Sequence, residues 1–224
     1  MNYTFQLGVA LDQLPALFEG ALVTLQLALL GFWGGALIGV VGASAKTFGG
    51  PVARGVAQAY VTFFTNTPAL LQIYFFYFGL PEVGILLSSF VSVLLGLTLN
   101  AGAYLTEIMR AGFVSVRRTE LEAAETLGFS LPQQIRFVVL PHLAKTIYPA
   151  LANFFIILVL GTSMAAVFGV DELTGTAINI STENYRWIEM FTVVAAIYIV
   201  LTFLASLLLA AVGWLGFRVR AKVF

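Results

Sequence analysis

The sequence has 224 residues, no net formal charge, no cysteine and a mean hydropathy of +0.96. Only 10% of the residues are charged, which excludes an ordinary water-soluble domain and favours a membrane protein with several spans. The missing cysteines exclude disulfides and thiolate metal sites. The first residues lack the basic and apolar regions of a cleavable signal, so we expect the first span to be retained. Without a repeat or linker, the chain is predicted to form one domain over 1–224.

Five apolar runs are each close to the roughly 20 residues that a helix needs to cross about 30 Å of hydrocarbon. The predicted spans are 21–43, 57–79, 86–111, 147–169 and 188–217. The last run is long enough to tilt or to emerge as a cytoplasmic helix. The sequence therefore predicts an all-α membrane protein with five transmembrane helices.

Basic residues collect in three groups that five spans would place on the same side of a membrane. They are Lys46 and Arg54; Arg110, Arg117, Arg118, Arg136 and Lys145; and Arg218, Arg220 and Lys222. Short loops rich in lysine and arginine favour the cytoplasmic side. We therefore expect the N-terminus and the 171–187 loop, with its acid Glu172, to lie outside. Residues 119–141 and the C-terminus should lie inside.

The first two predicted spans contain glycines and a proline that affect helix packing and helix continuity. Gly31, Gly35 and Gly39 recur at four-residue spacing in the first span, which predicts close packing against another helix. Pro68 interrupts the second span and leaves a backbone carbonyl without its usual donor. Two structures are compatible with this pattern. One is a kink satisfied by the hydroxyl of Thr65 or Thr67, and the other is a broken helix that lines a cavity.

The candidates for a solute pathway are polar side chains that fall within the apolar second, third and fourth spans. They are Thr67, Gln72, Asn100, Tyr104, Glu107, Thr162 and Ser163. We expect one cavity bounded by these spans, with Asn100 its most sensitive member, because desolvating a zwitterion without replacement partners is prohibitive. Spacings of four and three put Asn100, Tyr104 and Glu107 on one helix face. Glu107 could instead pair with Arg110, and the two hydroxyls could bond back to their own helix.

Residues 119–141 form the only long polar interruption and are predicted to be two short helices joined at Gly128. Thr119 followed by Glu122, and Ser130 followed by Gln133, each have the spacing of a capping box. Pro141 is expected to close the unit. Three residues, Ala123, Ala124 and Leu127, are expected to form a small apolar face that a protein partner could contact. His142, the single histidine, is interpreted as ordinary surface, so neither a metal ligand nor a catalytic residue is predicted.

The run Glu122-Ala123-Ala124, with Gly128 and then Leu140-Pro141, resembles the EAA loop of ABC importer permeases. In that family the loop is the coupling helix that docks on a cytoplasmic ATPase. The resemblance implies that Glu122, Ala123, Ala124, Leu127 and Gly128 couple this chain to such a partner. Ala103-Tyr104, Glu107, Arg110 and the run from Thr162 to Leu173 resemble more narrowly the polar amino-acid uptake branch of type I importers.

The implied protein is a non-enzymatic subunit of an ATP-driven amino-acid importer in a bacterial cytoplasmic (inner) membrane. Its implied partners are an ABC ATPase dimer, a second permease subunit in a homodimer or heterodimer, and an extracytoplasmic solute-binding protein. ATP and Mg²⁺ would belong to the ATPase, and no cofactor is expected in this chain. The run ending Ala45-Lys46-Thr47 lacks the glycine before lysine that a phosphate loop requires.

The chain departs from the family pattern at several polar positions. Thr65-Asn66-Thr67-Pro68 lacks the usual arginine, Leu160 and Gly161 replace polar residues before the fourth-span hydroxyls, and 116–119 lacks the usual proline and Gly-Gln pair. The solute could therefore be less charged than the branch suggests, or this could be the non-ligand-binding half of a heterodimer. An ion-coupled secondary transporter, for which an inverted repeat is expected, and a purely structural membrane subunit are the alternatives from other classes.

Overall fold

The computed structural model describes residues 3–217, and within that range the chain forms helices and turns without a strand. The α-helices are α1 Leu7–Leu11, α2 Leu14–Phe48, α3 Pro51–Asn66, α4 Ala69–Tyr74, α5 Ser89–Ser115, α6 Arg118–Thr126, α7 Leu131–Gln134, α8 Leu140–Gly161, α9 Leu173–Asn184 and α10 Trp187–Phe217. The predicted all-α class is confirmed. The basic tail at Arg218, Arg220 and Lys222 lies outside the described residues.

Four helical segments of the described chain are long and apolar enough to cross a membrane. They are Leu14–Phe48, Ser89–Ser115, Leu131–Phe168 and Trp187–Gly216. They correspond to the first, third, fourth and fifth predicted spans. The second predicted span contains no continuous helix of that length, so five spans remain a prediction.

The second predicted span is broken at Pro68. Helix α3 ends at Asn66, Thr67 takes an extended conformation (φ −114°, ψ 132°), and α4 begins at Ala69. A proline disfavours the helical conformation of the residue before it, and its ring would clash with the carbonyl four residues back. The chain then continues through a π-helical turn and a 3₁₀ turn that ends at Val83.

The prediction that Pro141 closes the polar segment is wrong. A π-helical turn at Ile135–Val139 joins α7 to α8, and the helix runs on past Pro141 as far as Phe168. The π turn widens the helix next to the carbonyl with which the proline ring would otherwise clash. A 3₁₀ stretch, Thr162–Phe168, completes this long segment, and Gly169 then reverses the chain at φ +73°.

The described chain groups into two compact units, and the long helices each contribute residues to both. The first unit draws on residues up to 33, 68–98 and 156–205. Its core is a buried cluster that includes Leu17, Leu173, Met190 and Val193. Gly31 lies in this unit, where a Cβ would sit 3.6 Å from the Leu97 Cβ, so this glycine packs on α5.

The second unit draws on residues 34–67, 99–155 and 206–217. Here α2 and α5 approach closely at glycines. A Cβ added to Gly35 would lie 2.7 Å from the Cβ of Ala101, and one added to Gly39 would lie 2.9 Å from the Cβ of Leu105. The glycine stripe therefore has the predicted packing role, because any larger residue would force the two helices apart.

The segment predicted as an outer loop, 171–187, is mostly the helix α9. Glu172 is its N-cap, and one carboxylate oxygen accepts a hydrogen bond from the Gly175 backbone N–H at 2.9 Å. The Glu172 side chain is fully buried, which its assignment to an outer loop did not indicate. Capping satisfies an otherwise unpaired backbone donor, which helps to offset the cost of burying the carboxyl group.

Candidate functional site

Asn100 lies beside the broken end of α3. Its side-chain Nδ2 donates a hydrogen bond to the backbone carbonyl of Phe64 at 3.1 Å. In a continuous helix that carbonyl would accept from the N–H of residue 68, which is Pro68 and has none. The asparagine amide therefore supplies a donor at the position where the proline removes one.

Two further carbonyls at the end of α3 accept hydrogen bonds from nearby side chains. The Thr67 hydroxyl donates to the Phe63 carbonyl at 2.8 Å, and the Asn66 amide donates to the Thr62 carbonyl at 2.8 Å. Both bonds run from a side chain to the carbonyl four residues before it, and for Thr62 the regular donor, the Asn66 N–H, is still part of α3. Of the two predicted structures, the broken helix is the one observed. Thr67 and Asn100 are brought together at this helix end.

Glu107 forms an ion pair with Arg110, whose Nε lies 2.9 Å from Oε2, which is one of the two roles that the sequence left open for it. Its other oxygen bonds to the ammonium of Lys46, which the sequence did not predict. The Lys46 side chain is only 8% exposed, so its charge needs a nearby counter-ion. The signal was present in the sequence, because a lysine at the end of a long apolar span requires either water or a carboxylate.

Tyr104 is half-exposed on α5, and its ring stacks on Phe154 with ring centroids 5.7 Å apart. Asn100, Tyr104 and Glu107 follow one another along α5 as the spacing predicts. Each, however, contacts a different neighbour: the α3 end, Phe154 of α8, and the Lys46–Arg110 pair.

The remaining pathway candidates lie in the first unit. Gln72 on α4 is 5% exposed. The hydroxyls of Thr162 and Ser163 donate to the carbonyls of Val159 and Leu160, each at 2.8 Å. Of the two roles left open for these hydroxyls, bonding to their own helix is thus observed. Thr162 is fully buried, whereas Ser163 is partly accessible.

The polar segment forms the two short helices predicted around Gly128. Helix α6 begins at Arg118, and Arg117 precedes it without a side-chain cap, so the prediction that Thr119 is the N-cap is wrong. The Glu122 carboxylate accepts from the Arg118 guanidinium at 3.1 Å instead of closing a capping box. This i,i+4 pair on an exposed helix adds only a few tenths of a kcal/mol, roughly 0.2–0.5.

Gly128 reverses the chain after α6 in a left-handed conformation with φ +78°. The Gly128 N–H donates to the Glu125 carbonyl at 2.9 Å, and the Phe129 N–H donates to the Ala124 carbonyl at 3.0 Å. These two bonds define a Schellman motif, for which glycine is preferred. The predicted capping box then opens α7, with the Ser130 N–H donating to the Gln133 side chain at 2.8 Å.

The predicted apolar face of α6 divides into an inner and an outer part. Ala124 is buried against its own chain, whereas Ala123 is exposed and Leu127 is 75% exposed. Exposed apolar side chains continue beyond the turn at Leu131, Phe137 and Leu140. Exposed apolar side chains in an otherwise polar segment are typical of a protein-binding surface.

His142 is not the ordinary surface residue that was predicted. Its Nε2 lies 3.1 Å from the Ser115 hydroxyl, and its Nδ1 lies 3.6 Å from a carboxylate oxygen of Glu120. The imidazole thereby connects the end of α5, the polar segment 119–141 and the start of α8. The sequence could not indicate these contacts, because the three residues belong to three different helices.

Sequence reasoning also missed a polar cluster around Glu172 in the first unit. The Thr24 hydroxyl donates to its carboxylate at 3.1 Å and the Tyr198 hydroxyl at 3.0 Å. Burial raises the pKa of Glu172 above its ordinary value of 4.5, although these donors and the Gly175 N–H act in the opposite direction. Among residues 3–217, no group of three or more histidines or acids could hold a metal ion.

The family model described as "Binding-protein-dependent transport system inner membrane component" matches residues 35–219 of this sequence. The chain is 36% identical over 198 residues to the glutamine transport system permease protein GlnP of Escherichia coli K12, covering 88% of this chain and 90% of GlnP. It is 33% identical over 199 residues to the probable amino-acid ABC transporter permease protein PatM of Vibrio harveyi, covering 87% and 88%.

Two solved structures resemble the fold of this chain. A chain from "an amino acid ABC transporter with histidines" superimposes with a TM-score of 0.87 at 32% identity, covering 96% of this chain and 99% of that one. A chain from an inward-facing MetNI methionine ABC transporter gives a TM-score of 0.72 at 18% identity, with coverage of 90% and 96%. At that identity the second match concerns the fold alone.

Proposed function

Because this chain belongs to the family of inner membrane components of binding-protein-dependent transport systems, we propose that it conducts an amino acid across the bacterial inner membrane in an ATP-driven importer. The observation that carries this proposal is the similarity to GlnP and PatM over nearly nine-tenths of the chain. The helices that are long and apolar enough to span a membrane support the same role.

We infer that the solute path uses the polar side chains predicted from the sequence. In the second unit these are Thr67, Asn100, Tyr104 and Glu107, and in the first unit they are Gln72, Thr162 and Ser163. Asn100 supports the proposal best, since its amide nitrogen bonds to Phe64 and its side-chain oxygen has no hydrogen bond among the described residues. That oxygen could accept from the ammonium group of an amino acid.

The segment 119–141 is proposed to couple the path to a cytoplasmic ABC ATPase through Glu122, Ala123, Ala124, Leu127 and Gly128. The exposed Leu127 supports this role, and so does the Gly128 turn, because it fixes the direction in which the chain leaves α6. ATP and Mg²⁺ would be held by the ATPase. Other proposed partners are a second permease subunit and an extracytoplasmic solute-binding protein.

One observation favours a second candidate, the half of a heterodimer that does not bind solute. Thr162 and Ser163 already donate to their own helix, and they follow the apolar Leu160 and Gly161. In that arrangement the chain would still couple to the ATPase, and the partner permease would hold the solute.

The test begins with recovery of the tagged chain and its partners from native membranes, followed by reconstitution into proteoliposomes. We expect an ABC ATPase in the complex and uptake of labelled glutamine, glutamate, histidine or arginine that requires ATP. Leu127→Asp should reduce recovery of the ATPase, whereas Val83→Asp, at an equally exposed valine outside the segment, should not. Uptake that follows an ion gradient without ATP would contradict the proposal and indicate a secondary transporter.

A further inference from the structure

A polar cleft of about 550 Å³ lies in the second unit, between residues of α2, α3 and α5. Its charged residues are Lys46 from α2, Arg54 from α3, and Glu107 and Arg110 from α5. Neutral polar side chains, including Gln58 and Asn66, complete the lining. The cleft thus concentrates charged residues in a chain that has few of them.

The charges in this cleft do not balance. Lys46, Arg54 and Arg110 contribute three positive charges and Glu107 one negative charge, which leaves a net charge of +2. Both oxygens of the Glu107 carboxylate are already engaged, one by Lys46 and the other by Arg110. One carboxylate cannot neutralise three cations, so the cleft retains positive potential for a further anion.

Arg54 is the cation with the most capacity left. Its Nη2 lies 3.4 Å from the Gly49 carbonyl, a long hydrogen bond, and no carboxylate among the described residues lies within ion-pair distance. The guanidinium is a rigid fork of five donors that suits the oxygens of phosphate. Most of those donors remain available in this structure.

The three cations also lie near helix ends. Lys46 is two residues before the end of α2, Arg54 is in the first turn of α3, and Arg110 is in the last third of α5. Helices that span a bilayer end near the lipid headgroups, and basic pockets between such helices bind anionic headgroups. Phosphate fits these cations better than a carboxylate does, because it offers more acceptor oxygens to donors from three helices.

We propose that this cleft binds a phosphate group, carried either by an anionic phospholipid headgroup or by a free phosphate compound. This role is additional to amino-acid passage, and of the cleft residues only Glu107 is also among the proposed solute-path residues. It would hold α2, α3 and α5 together through a ligand that bridges their cations. Arg54 would make the main contact, with Lys46 and Arg110 held in place by Glu107.

The test uses the purified transporter complex in nanodiscs of pure phosphatidylcholine or of phosphatidylcholine mixed with phosphatidylglycerol. Retained lipids are counted by native mass spectrometry. Inorganic phosphate, compared with chloride at equal ionic strength, is then titrated in the pure phosphatidylcholine discs while the melting temperature is recorded. Arg54→Gln removes the free cation, and Lys145→Gln removes an exposed cation of α8 outside the cleft.

We expect Arg54→Gln to weaken the phosphate-dependent effect about fivefold, the value for one basic residue near an anionic surface. Lys145→Gln should leave it unchanged. Loss of phosphatidylglycerol retention alone identifies the lipid source, and loss of the inorganic phosphate shift identifies the free source. If Arg54→Gln does not assemble, Gln58→Glu lowers the net charge of the cleft instead and should weaken binding similarly. The proposal would be overturned if the assembled variant, Arg54→Gln or Gln58→Glu, retains phosphatidylglycerol and responds to inorganic phosphate as the wild type does.

Discussion

Replacing Asn100 by leucine tests whether this side chain compensates for the proline in the second predicted span. Asn100 donates to the Phe64 carbonyl, whose regular helical donor is absent because residue 68 is proline. Leucine has a similar volume and no donor. Asn100→Leu should therefore destabilise the folded protein by leaving the end of α3 with one donor fewer.

The size of the effect follows from the environment of the bond. Leaving a buried carbonyl without a partner costs about 1–3 kcal/mol in soluble proteins. Hydrogen bonds between membrane helices average about 0.6 kcal/mol and reach about 1.7, because the unfolded chain in the bilayer finds other partners. The second range applies here, so we expect a loss of about 1 kcal/mol in the free energy of unfolding.

A double-mutant cycle with Pro68→Ala isolates the proposed compensation. Alanine restores an N–H at position 68, so the Phe64 carbonyl can regain a backbone donor. Asn100→Leu should then cost less in the Pro68→Ala background than in the wild type, measured by unfolding in mixed detergent micelles. Asn153→Leu, at an exposed asparagine of α8, is the matched control and should show no such dependence. If the losses of unfolding free energy for Asn100→Leu and Pro68→Ala add within about 0.5 kcal/mol in the double variant, the reasoning is refuted.

Two further predictions concern the polar segment 119–141 and the buried acid Glu172. Gly128→Ala should destabilise this segment by about 1–2 kcal/mol, because a Cβ is unfavourable at φ +78°. Gly55→Ala, inside α3 where a Cβ meets no neighbour, is the control and should not destabilise the protein. Equal unfolding curves for the two variants would contradict this reasoning. Burial raises the pKa of Glu172 in the folded protein, so the folded state binds this proton more tightly than the unfolded state. The group therefore stabilises the fold below its ordinary pKa of 4.5, and this stabilisation is lost as the pH rises through the raised pKa. Melting temperatures across this pH range should therefore fall in the wild type relative to Glu172→Gln, and parallel profiles would exclude the effect.

The features that the sequence predicted correctly depend on neighbours along the chain. The capping box of Ser130 and Gln133 and the Glu107–Arg110 pair each lie within one helical turn, so spacing alone is sufficient. The left-handed turn at Gly128 is equally local. The glycine spacing in α2 predicted a close approach, although it could not identify α5 as the partner.

The features that were missed join residues far apart in sequence. Lys46 bonds to Glu107 across 61 positions, and Thr24 bonds to Glu172 across 148. Spacing carries no information about such pairs. Charge pattern assigned Glu172 only to the outer side, and it gave no sign that this acid caps α9 from a buried position.

Polar side chains in the apolar helices are first used to satisfy the protein's own backbone, and this limits how they could hold a solute. The Ser163 hydroxyl donates its single hydrogen to Leu160, and Asn100 donates through its amide to Phe64. The Ser163 hydroxyl keeps only lone pairs, whereas the Asn100 amide keeps its carbonyl oxygen and a second N–H. A solute bound by Ser163 must therefore act as the donor, and an α-ammonium group meets that requirement. The carboxylate of the same amino acid could accept only from the remaining Asn100 N–H or from donors elsewhere.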